Sequence, residues 1–244
     1  MKTCMRNIFI IARREIEAYF VSPIAYVVIA AYLVVMGLIF ALIVAGQPGA
    51  EASLRFVFGN AFSALILIII GPLLTMRLLA EEQRTGTIEL LLTAPVRDWE
   101  VVIGKYLASC IVFLAMVAPT GVYPVFIERF GNPDRALFFS TYLGLILLGA
   151  AILALGLLTS AVTQNQIIAA FLGLGLTLLM TFTEFLASVV GAPLSSVLSY
   201  LGLFHHFFDF LRGIVDTRDL VYYLSVIIGA LFLTTQVLTA RRWR

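Results

Sequence analysis

Residues 136–190 read ALFFSTYLGLILLGAAILALGLLTSAVTQNQIIAAFLGLGLTLLMTFTEFLASVV, which is two long apolar runs on either side of the polar residues 163–166. A helix rises about 1.5 Å per residue, so about 20 apolar residues cross a hydrocarbon core of about 30 Å. Each run is long enough to cross once, and the short link between them leaves room only for a tight turn. Because backbone groups in lipid must form hydrogen bonds within their own segment, this stretch predicts a helical hairpin in a membrane.

The same pattern recurs along the whole chain. Six apolar runs are long enough to span a membrane, and they cover residues 24–45, 56–76, 106–127, 136–162, 167–190 and 220–240. The 244 residues are 61% hydrophobic and 12% charged, whereas a soluble domain is about 45–50% apolar and about 25% charged. This composition excludes a soluble globular protein, and the net charge of +2 gives no indication of nucleic-acid binding. We therefore predict an all-α integral membrane protein, with six transmembrane helices in one domain over residues 1–244.

Lysine and arginine are distributed unevenly between the two sets of loops. The richer set carries Lys2, Arg6, Arg13, Arg14, Arg77, Arg84, Arg97, Lys105, Arg241, Arg242 and Arg244. The poorer set carries Arg55, Arg129, Arg135, Arg212 and Arg218. Because the loops rich in these residues stay on the cytoplasmic side, we expect both ends of the chain to be cytoplasmic and residues 191–219 to be outside.

The segment before the first span, residues 1–22, has the pattern of an amphipathic helix. Apolar residues recur at helical spacing on one face, which carries Phe9, Ala12, Ile16, Tyr19 and Phe20, and polar residues on the other, which carries Arg6, Arg13, Arg14 and Glu17. Such a helix lies in the headgroup layer with its apolar side towards the lipid. Ser22-Pro23 then predicts a break, since the residue before proline disfavours helix. A basic anchor that only sets the topology is the alternative interpretation.

Residues 76–105, MRLLAEEQRTGTIELLLTAPVRDWEVVIGK, form the longest connection on the predicted cytoplasmic side. Gly86-Thr87 predicts the start of a short helix over residues 88–93, which stops before Pro95. Three leucines on so short a helix cannot all be buried beneath it, so we expect them to contact lipid headgroups or a protein groove. Asp98 is expected to cap the helix that follows. The alternative is a loop that lies on the membrane surface.

Two motifs in this chain resemble those of a known family. Glu81-Glu82-x-x-x-Gly86-Thr87-x-Glu89-x-Leu91-Leu92-x-x-Pro95, followed by Gly104-Lys105, resembles the first cytoplasmic loop of ABC-2 type transporter permeases. Ser22-Pro23-x-Ala25-Tyr26 is similar to the gliding-motility and nitrous-oxide-reductase-maturation branch of that family. The resemblance covers the whole chain in topology and implies an elbow helix over residues 1–22, a cytoplasmic coupling helix within residues 79–100, and outer re-entrant helices.

The resemblance also implies partners. Permease subunits of this family pair as homo- or heterodimers, and each pair sits on two cytoplasmic ATPase subunits that contact the elbow helix and the first cytoplasmic loop. Carried onto this chain, the ATPase-coupling residues are Glu81, Glu82, Arg84, Gly86, Thr87, Glu89, Leu91 and Leu92, with Arg13 and Arg14 as secondary candidates. The family's usual direction is export, across the inner membrane of a prokaryotic cell.

The chain has no phosphate-binding loop of its own. Gly104-Lys105 is followed by Tyr106 rather than serine or threonine, and Trp99 stands where the first glycine of such a loop belongs. We therefore expect a partner ATPase subunit to bind ATP and Mg²⁺, and we expect no catalytic residue, metal ion or cofactor in this chain.

Residues 191–219 are apolar and aromatic but contain His205, His206 and Asp209. This segment is too short and too polar to cross, so we predict a re-entrant or interfacial helix in the outer leaflet. His205 and Asp209 lie four residues apart and could share a helix face. A metal site would need more ligands than this segment provides, which favours anchoring with a local hydrogen bond.

Glu184 is the one acidic residue within a predicted span. A charge in the bilayer is costly and usually faces the interior of a bundle. Two interpretations stay open for Glu184, a position on the substrate pathway or a carboxylate that reaches water at the outer leaflet.

Together these observations predict an ABC-2 type permease subunit that forms a substrate pathway and couples to separate ATPase subunits. An intramembrane lipid-modifying enzyme is one alternative, and it would use clustered acids or histidines such as those of residues 205–209. An ion-coupled secondary transporter is the other, although such proteins often show inverted repeats and polar residues at the membrane midplane.

Overall fold

The structure is a computed structural model that describes residues 2–46, 54–87, 96–130, 135–191 and 194–242. Over these residues the chain is helical and contains no strand. Six stretches of helix are long and apolar enough to cross a membrane. The predicted all-α membrane fold with six spans is therefore confirmed.

The helices of the described residues are numbered in chain order, with one 3₁₀ turn at Ala118–Gly121 between α5 and α6. They are α1 (Lys2–Val21), α2 (Pro23–Gly46), α3 (Leu54–Phe58), α4 (Ala61–Thr85), α5 (Asp98–Val117), α6 (Val122–Phe130), α7 (Arg135–Val162), α8 (Gln166–Val189), α9 (Leu194–Leu201), α10 (Leu203–Phe210) and α11 (Thr217–Arg242).

The third span begins earlier in the structure than the predicted range 106–127. Helix α5 starts at Asp98, and the cap residue is Arg97, whose backbone N–H donates to the Glu100 carboxylate at 3.2 Å. Asp98 is therefore the first helical residue rather than the cap. A helix that runs from this point through Trp99 into the third span was predicted, and the structure has it; α1 and α4 supply partners for its charged residues Glu100 and Lys105.

Helix α7 is the central helix of the bundle. Buried residues cover 72% of its most apolar window, compared with 11% for α2. Helices α4, α5, α8 and α11 pack around it, and the short helix α10 covers part of it. Helix α2 lies at the edge, so that most of its surface is left for lipid or for another protein.

Helices α4, α7 and α8 approach most closely around Pro72 of α4. A Cβ atom at Gly156 would lie 2.1 Å from the Thr75 hydroxyl oxygen, and one at Gly173 would lie 2.9 Å from the Pro72 side chain. Proline lacks the backbone N–H that continues a helix ladder. The Thr75 hydroxyl donates to the Gly71 carbonyl at 3.1 Å within this turn. Because Gly156 and Gly173 have no side chain, α7 and α8 can both pack closely against this turn of α4.

Candidate functional site

Helix α1 lies across the end of α4 and the beginning of α5, and we call this side of the bundle the terminal face. A Cβ atom at Gly104 of α5 would lie 2.9 Å from Ile11 of α1, so the missing side chain allows the two helices to touch. Asn7 donates to Glu100 of α5 at 3.1 Å. The Tyr19 hydroxyl donates to the Leu74 carbonyl of α4. Helix α1 is thus fixed to two membrane helices.

Helix α1 has three sides rather than the two predicted from its sequence. Ala12 and Tyr19, which we had placed on a lipid-facing side, are buried against the bundle. Phe9 and Phe20 are exposed beside them, and Arg13 is exposed on the polar side. The apolar residues are therefore divided between a side that contacts protein and a side that is open to lipid.

Four charged side chains meet between α1, α4 and α5, and we call them the charged junction: Arg14, Glu15, Glu82 and Lys105. The Lys105 ammonium lies 3.0 Å from a Glu15 oxygen and 2.9 Å from a Glu82 oxygen. The Arg14 guanidinium lies 2.8 Å from Glu15 and 2.7 Å from Glu82. Each carboxylate therefore contacts both cations, and the charges of the four groups cancel.

Burial makes the charged junction different from a surface ion pair. The Lys105 side chain is 1% exposed, and those of Glu15 and Glu82 are 13% and 16% exposed. A buried charge is tolerated only when partners replace its hydration. Burial alone would raise the pKa of Glu15, but the Lys105 ammonium and the Arg14 guanidinium outweigh burial and hold that pKa below its usual value. The junction thus favours its ionised form.

Further polar contacts join the membrane helices on the terminal face. Gln83 of α4 donates to the Ala161 carbonyl of α7 at 2.8 Å, and Arg241 of α11 donates to the Val162 carbonyl at 2.7 Å. Thr239 of α11 donates to Asp98 of α5 at 3.0 Å. The ends of α4, α5, α7 and α11 are therefore connected at the same side of the bundle as α1.

The residues predicted to couple to ATPase subunits fall into four groups. Arg14 and Glu82 belong to the charged junction, whereas Arg13 forms an exposed ion pair with Glu17 at 2.8 Å. The residues at the end of α4 are Glu81, which is half-buried, and Arg84, Gly86 and Thr87, which are exposed. Glu89, Leu91 and Leu92 lie outside the described residues, and so does the helix predicted over residues 88–93.

Gly86 ends α4, and Thr87 directly after it is again helical, in agreement with the helix start predicted at Gly86-Thr87. Its φ of +71° is left-handed, and glycine adopts this conformation without strain. A Cβ atom at this position would meet nothing within 4 Å, so the residue type is needed for its backbone conformation and not for space. The exposed end of α4 thus leads directly into residues 88–95.

Sequence reasoning missed two members of the charged junction. Lys105 was placed at the opening of the third span without a partner, and Glu15 was not singled out. A signal for Glu15 was present, because this residue lies three positions after Ala12 and four before Tyr19, within the face that packs on the bundle. An acid on such a face needs a cation, and Lys105 supplies it.

The polar residues at the other side of the bundle have separate partners. Asp209, which could share a helix face with His205, contacts Arg212 at 3.5 Å. His205 lies 3.6 Å from Glu184, and both side chains are partly exposed. His206 lies 2.6 Å from Asp219, in a buried pair. In the part of the chain that the structure describes, no group of three His, Cys, Asp or Glu residues could hold a metal ion.

Six apolar helices and a junction of buried charges at one end of the bundle define a multi-pass membrane protein. A family model described as ABC-2 type transporter matches residues 6–215. The chain therefore belongs to the ABC-2 type transporter family, whose permeases are membrane components of ABC transporters rather than enzymes and associate with ABC ATPase subunits. A search of curated proteins found no match.

Proposed function

We propose that this chain is the permease subunit of an ABC-2 type transporter and that the charged junction transmits movement from ATPase subunits to α4 and α5. In this proposal two permease subunits form the substrate pathway in the inner membrane of a prokaryotic cell. Their chain ends are cytoplasmic, two ATPase subunits bind ATP and Mg²⁺, and the direction is export. The resemblance of Ser22-Pro23-x-Ala25-Tyr26 makes the gliding-motility and nitrous-oxide-reductase-maturation branch our choice within the family.

The observation that carries the proposal is the burial of Lys105 between carboxylates of two other helices. Removing one partner from a buried ion pair leaves an uncompensated charge and costs about 3–5 kcal/mol. Helices α1, α4 and α5 are therefore expected to move together. Residues 88–95 connect α4 to α5, so a partner that displaces this connection would move all three elements.

Association with ATPase subunits is tested with two matched charge reversals. Arg84 is exposed at the end of α4, and Arg129 is exposed at the other side of the bundle. We expect Arg84→Glu to reduce co-purification with the ATPase subunit in mild detergent, because it reverses a charge on the proposed contact surface. Arg129→Glu should leave co-purification unchanged. Equal binding by both variants, or purification of the wild-type chain without any ATPase subunit, would contradict the proposal.

Transmission is tested separately with Glu15→Gln, which removes one charge of the junction but leaves the proposed contact surface intact. We expect this variant to bind the ATPase subunit and to show reduced vanadate-sensitive hydrolysis in lipid nanodiscs. Glu17→Gln is the control, since Glu17 pairs with Arg13 on the exposed side of the same helix. Unchanged hydrolysis in a folded Glu15→Gln complex would remove the charged junction from the mechanism.

A further inference from the structure

A second buried charged pair lies on the side of the bundle opposite the terminal face. Helices α9 and α10 form a short hairpin there, joined through Gly202, and the hairpin packs against α7 and α8 and forms hydrogen bonds with α11. The Tyr222 hydroxyl donates to the Leu201 carbonyl and the Tyr223 hydroxyl to the Leu203 carbonyl, both at 2.7 Å. Side chains of α11 thus hold the backbone of the hairpin at the point where it turns.

His206 of α10 is the central residue of this attachment. Its Nδ1 atom lies 2.6 Å from the Asp219 carboxylate of α11, and its Nε2 atom lies 2.9 Å from the Tyr200 carbonyl oxygen of α9. His206 and Asp219 are each 3% exposed. The imidazole also stacks on the Tyr222 ring, with 4.0 Å between the ring centroids and 24° between the planes. One side chain therefore connects α9, α10 and α11.

With Asp219 ionised, both partners of the imidazole are acceptors, and they determine where its hydrogens lie. A carbonyl oxygen only accepts, so Nε2 must carry a hydrogen to bond Tyr200. A neutral imidazole with that hydrogen would present the lone pair of Nδ1 to the Asp219 carboxylate in a buried place. A second hydrogen on Nδ1 turns this repulsion into a charge-assisted hydrogen bond. Stacking of the resulting cation on the Tyr222 ring adds a favourable contact.

We propose that His206 is doubly protonated, that its charge pair with Asp219 is a clasp which holds the α9–α10 hairpin on α11, and that loss of the shared proton releases the clasp. The pair is neutral as a whole when it holds this proton. Deprotonation leaves a buried net negative charge with no donor on Nδ1. The attachment of the hairpin is therefore expected to weaken as the pH rises. This inference does not depend on the proposed coupling to ATPase subunits.

The groups around the clasp are consistent with this direction of pH dependence. Helix α9 supplies the Tyr200 ring, and α11 supplies Tyr222 and Tyr223 next to Asp219. The neighbouring His205 ring lies 5.5 Å from the His206 ring, and on its other side it meets Glu184 of α8. Helix α7 contributes an uncharged contact to α10, since the Ser140 hydroxyl donates to the Phe210 carbonyl at 2.9 Å. Among the described residues, Asp219 is the one carboxylate in contact with His206.

The protonation state is measured directly on the full chain in lipid nanodiscs. The sequence contains two histidines, so ¹⁵N-histidine labelling of the His205→Gln variant leaves only the His206 ring visible by NMR. We expect both ring nitrogens to carry a hydrogen at about pH 7. A ring nitrogen without a hydrogen at that pH would overturn the proposal, and this result does not depend on any variant of the clasp itself.

The clasp is tested by amide hydrogen exchange over residues 194–210. Asp219→Ala removes the acceptor and is expected to accelerate exchange there by roughly tenfold, the effect of losing a hydrogen bond to a charged group. His205→Gln is the matched control and should leave exchange in this segment unchanged, and exchange over α1 reports whether the variant is folded. Equal protection in folded Asp219→Ala and wild type would overturn the clasp.

The proton sensitivity is tested with Asp219→Asn. An amide can donate to Nδ1 of a neutral ring, so this variant is expected to keep the hairpin attached without the extra proton. Protection of residues 194–210, corrected for the intrinsic rate, should decrease with rising pH in the wild type and stay constant in Asp219→Asn. Parallel behaviour of the two proteins would overturn the role of the shared proton.

Discussion

Lys105 shows that burial and neighbouring charges determine the structural role of a charged residue. This lysine lies at the opening of the predicted third span and counted only towards the charge of the cytoplasmic side, yet its side chain is 1% exposed and its ammonium contacts two carboxylates. Arg14, which is more exposed, holds the same two carboxylates from the solvent side. The four groups replace the hydration that each of them loses.

The importance of Lys105 for stability can be measured with Lys105→Met, which keeps the length of the side chain and removes its charge. Glu15 and Glu82 would then share only Arg14, so we expect a loss of about 3–5 kcal/mol in the free energy of unfolding. Glu17→Gln removes an exposed ion pair and should cost less than about 1 kcal/mol. Thermal unfolding of both variants in mild detergent makes the comparison. Similar midpoints would show that the junction adds no stability.

The stability of the protein should also depend on the ionisation of Glu15. Its pKa is lowered in the folded state from a reference value of 4.5, chiefly because Lys105 outweighs the effect of burial. The stabilisation is therefore complete above the pKa of the unfolded chain and is lost as the pH falls through the lower folded value. Thermal midpoints measured from about pH 6 to about pH 3 should fall more steeply for the wild type than for Glu15→Gln. Parallel curves would contradict this assignment.

At the scale of elements, close helix contact depends on glycines that the hydropathy pattern does not distinguish. Gly156 of α7 faces the turn of α4 that contains Pro72 and Thr75, whereas Gly175 of α8 meets nothing within 4 Å. Both are helical glycines in apolar spans. Only their neighbours determine that the first is needed for packing and the second is not.

Substitution of these two glycines should affect stability differently. Gly156→Ala places a methyl group 2.1 Å from the Thr75 hydroxyl oxygen, so α4 and α7 must separate, which we expect to cost about 1–3 kcal/mol. Gly175→Ala meets open space and should be neutral or stabilise by up to about 1 kcal/mol through helix propensity. Thermal unfolding of the two variants in the same detergent measures the two changes in stability. Equal effects would mean that the contact at Pro72 is not tight.

The whole molecule is arranged around α7, and its two ends carry different kinds of contact. The terminal face contains α1, the charged junction and the connected ends of α4, α5, α7 and α11. The other end contains the α9–α10 hairpin and the pair of His206 with Asp219. Movement imposed at the terminal face would reach the other end through the long membrane helices that connect the two.

The orientation of the molecule can be tested with single cysteines in intact cells. Arg84→Cys lies at the terminal face and should be protected from a membrane-impermeant maleimide, because we expect this face to be cytoplasmic. Arg129→Cys and Val215→Cys lie at exposed positions of the other end and should react. Reaction at position 84 together with protection at position 129 would show that the terminal face is outside the cell, which contradicts the predicted orientation.

Local features of the sequence determined the six spans and the family, because a span needs only enough consecutive apolar residues and the family motif is itself a short stretch of chain. The break at Ser22-Pro23 was readable for the same reason. Tertiary structure alone decided that Lys105 pairs with Glu15, 90 positions away, and that His206 pairs with Asp219 rather than with a residue of its own helix. An ion pair in the interior depends on which helices pack together and on how much water they exclude, and neither quantity is present in the local pattern.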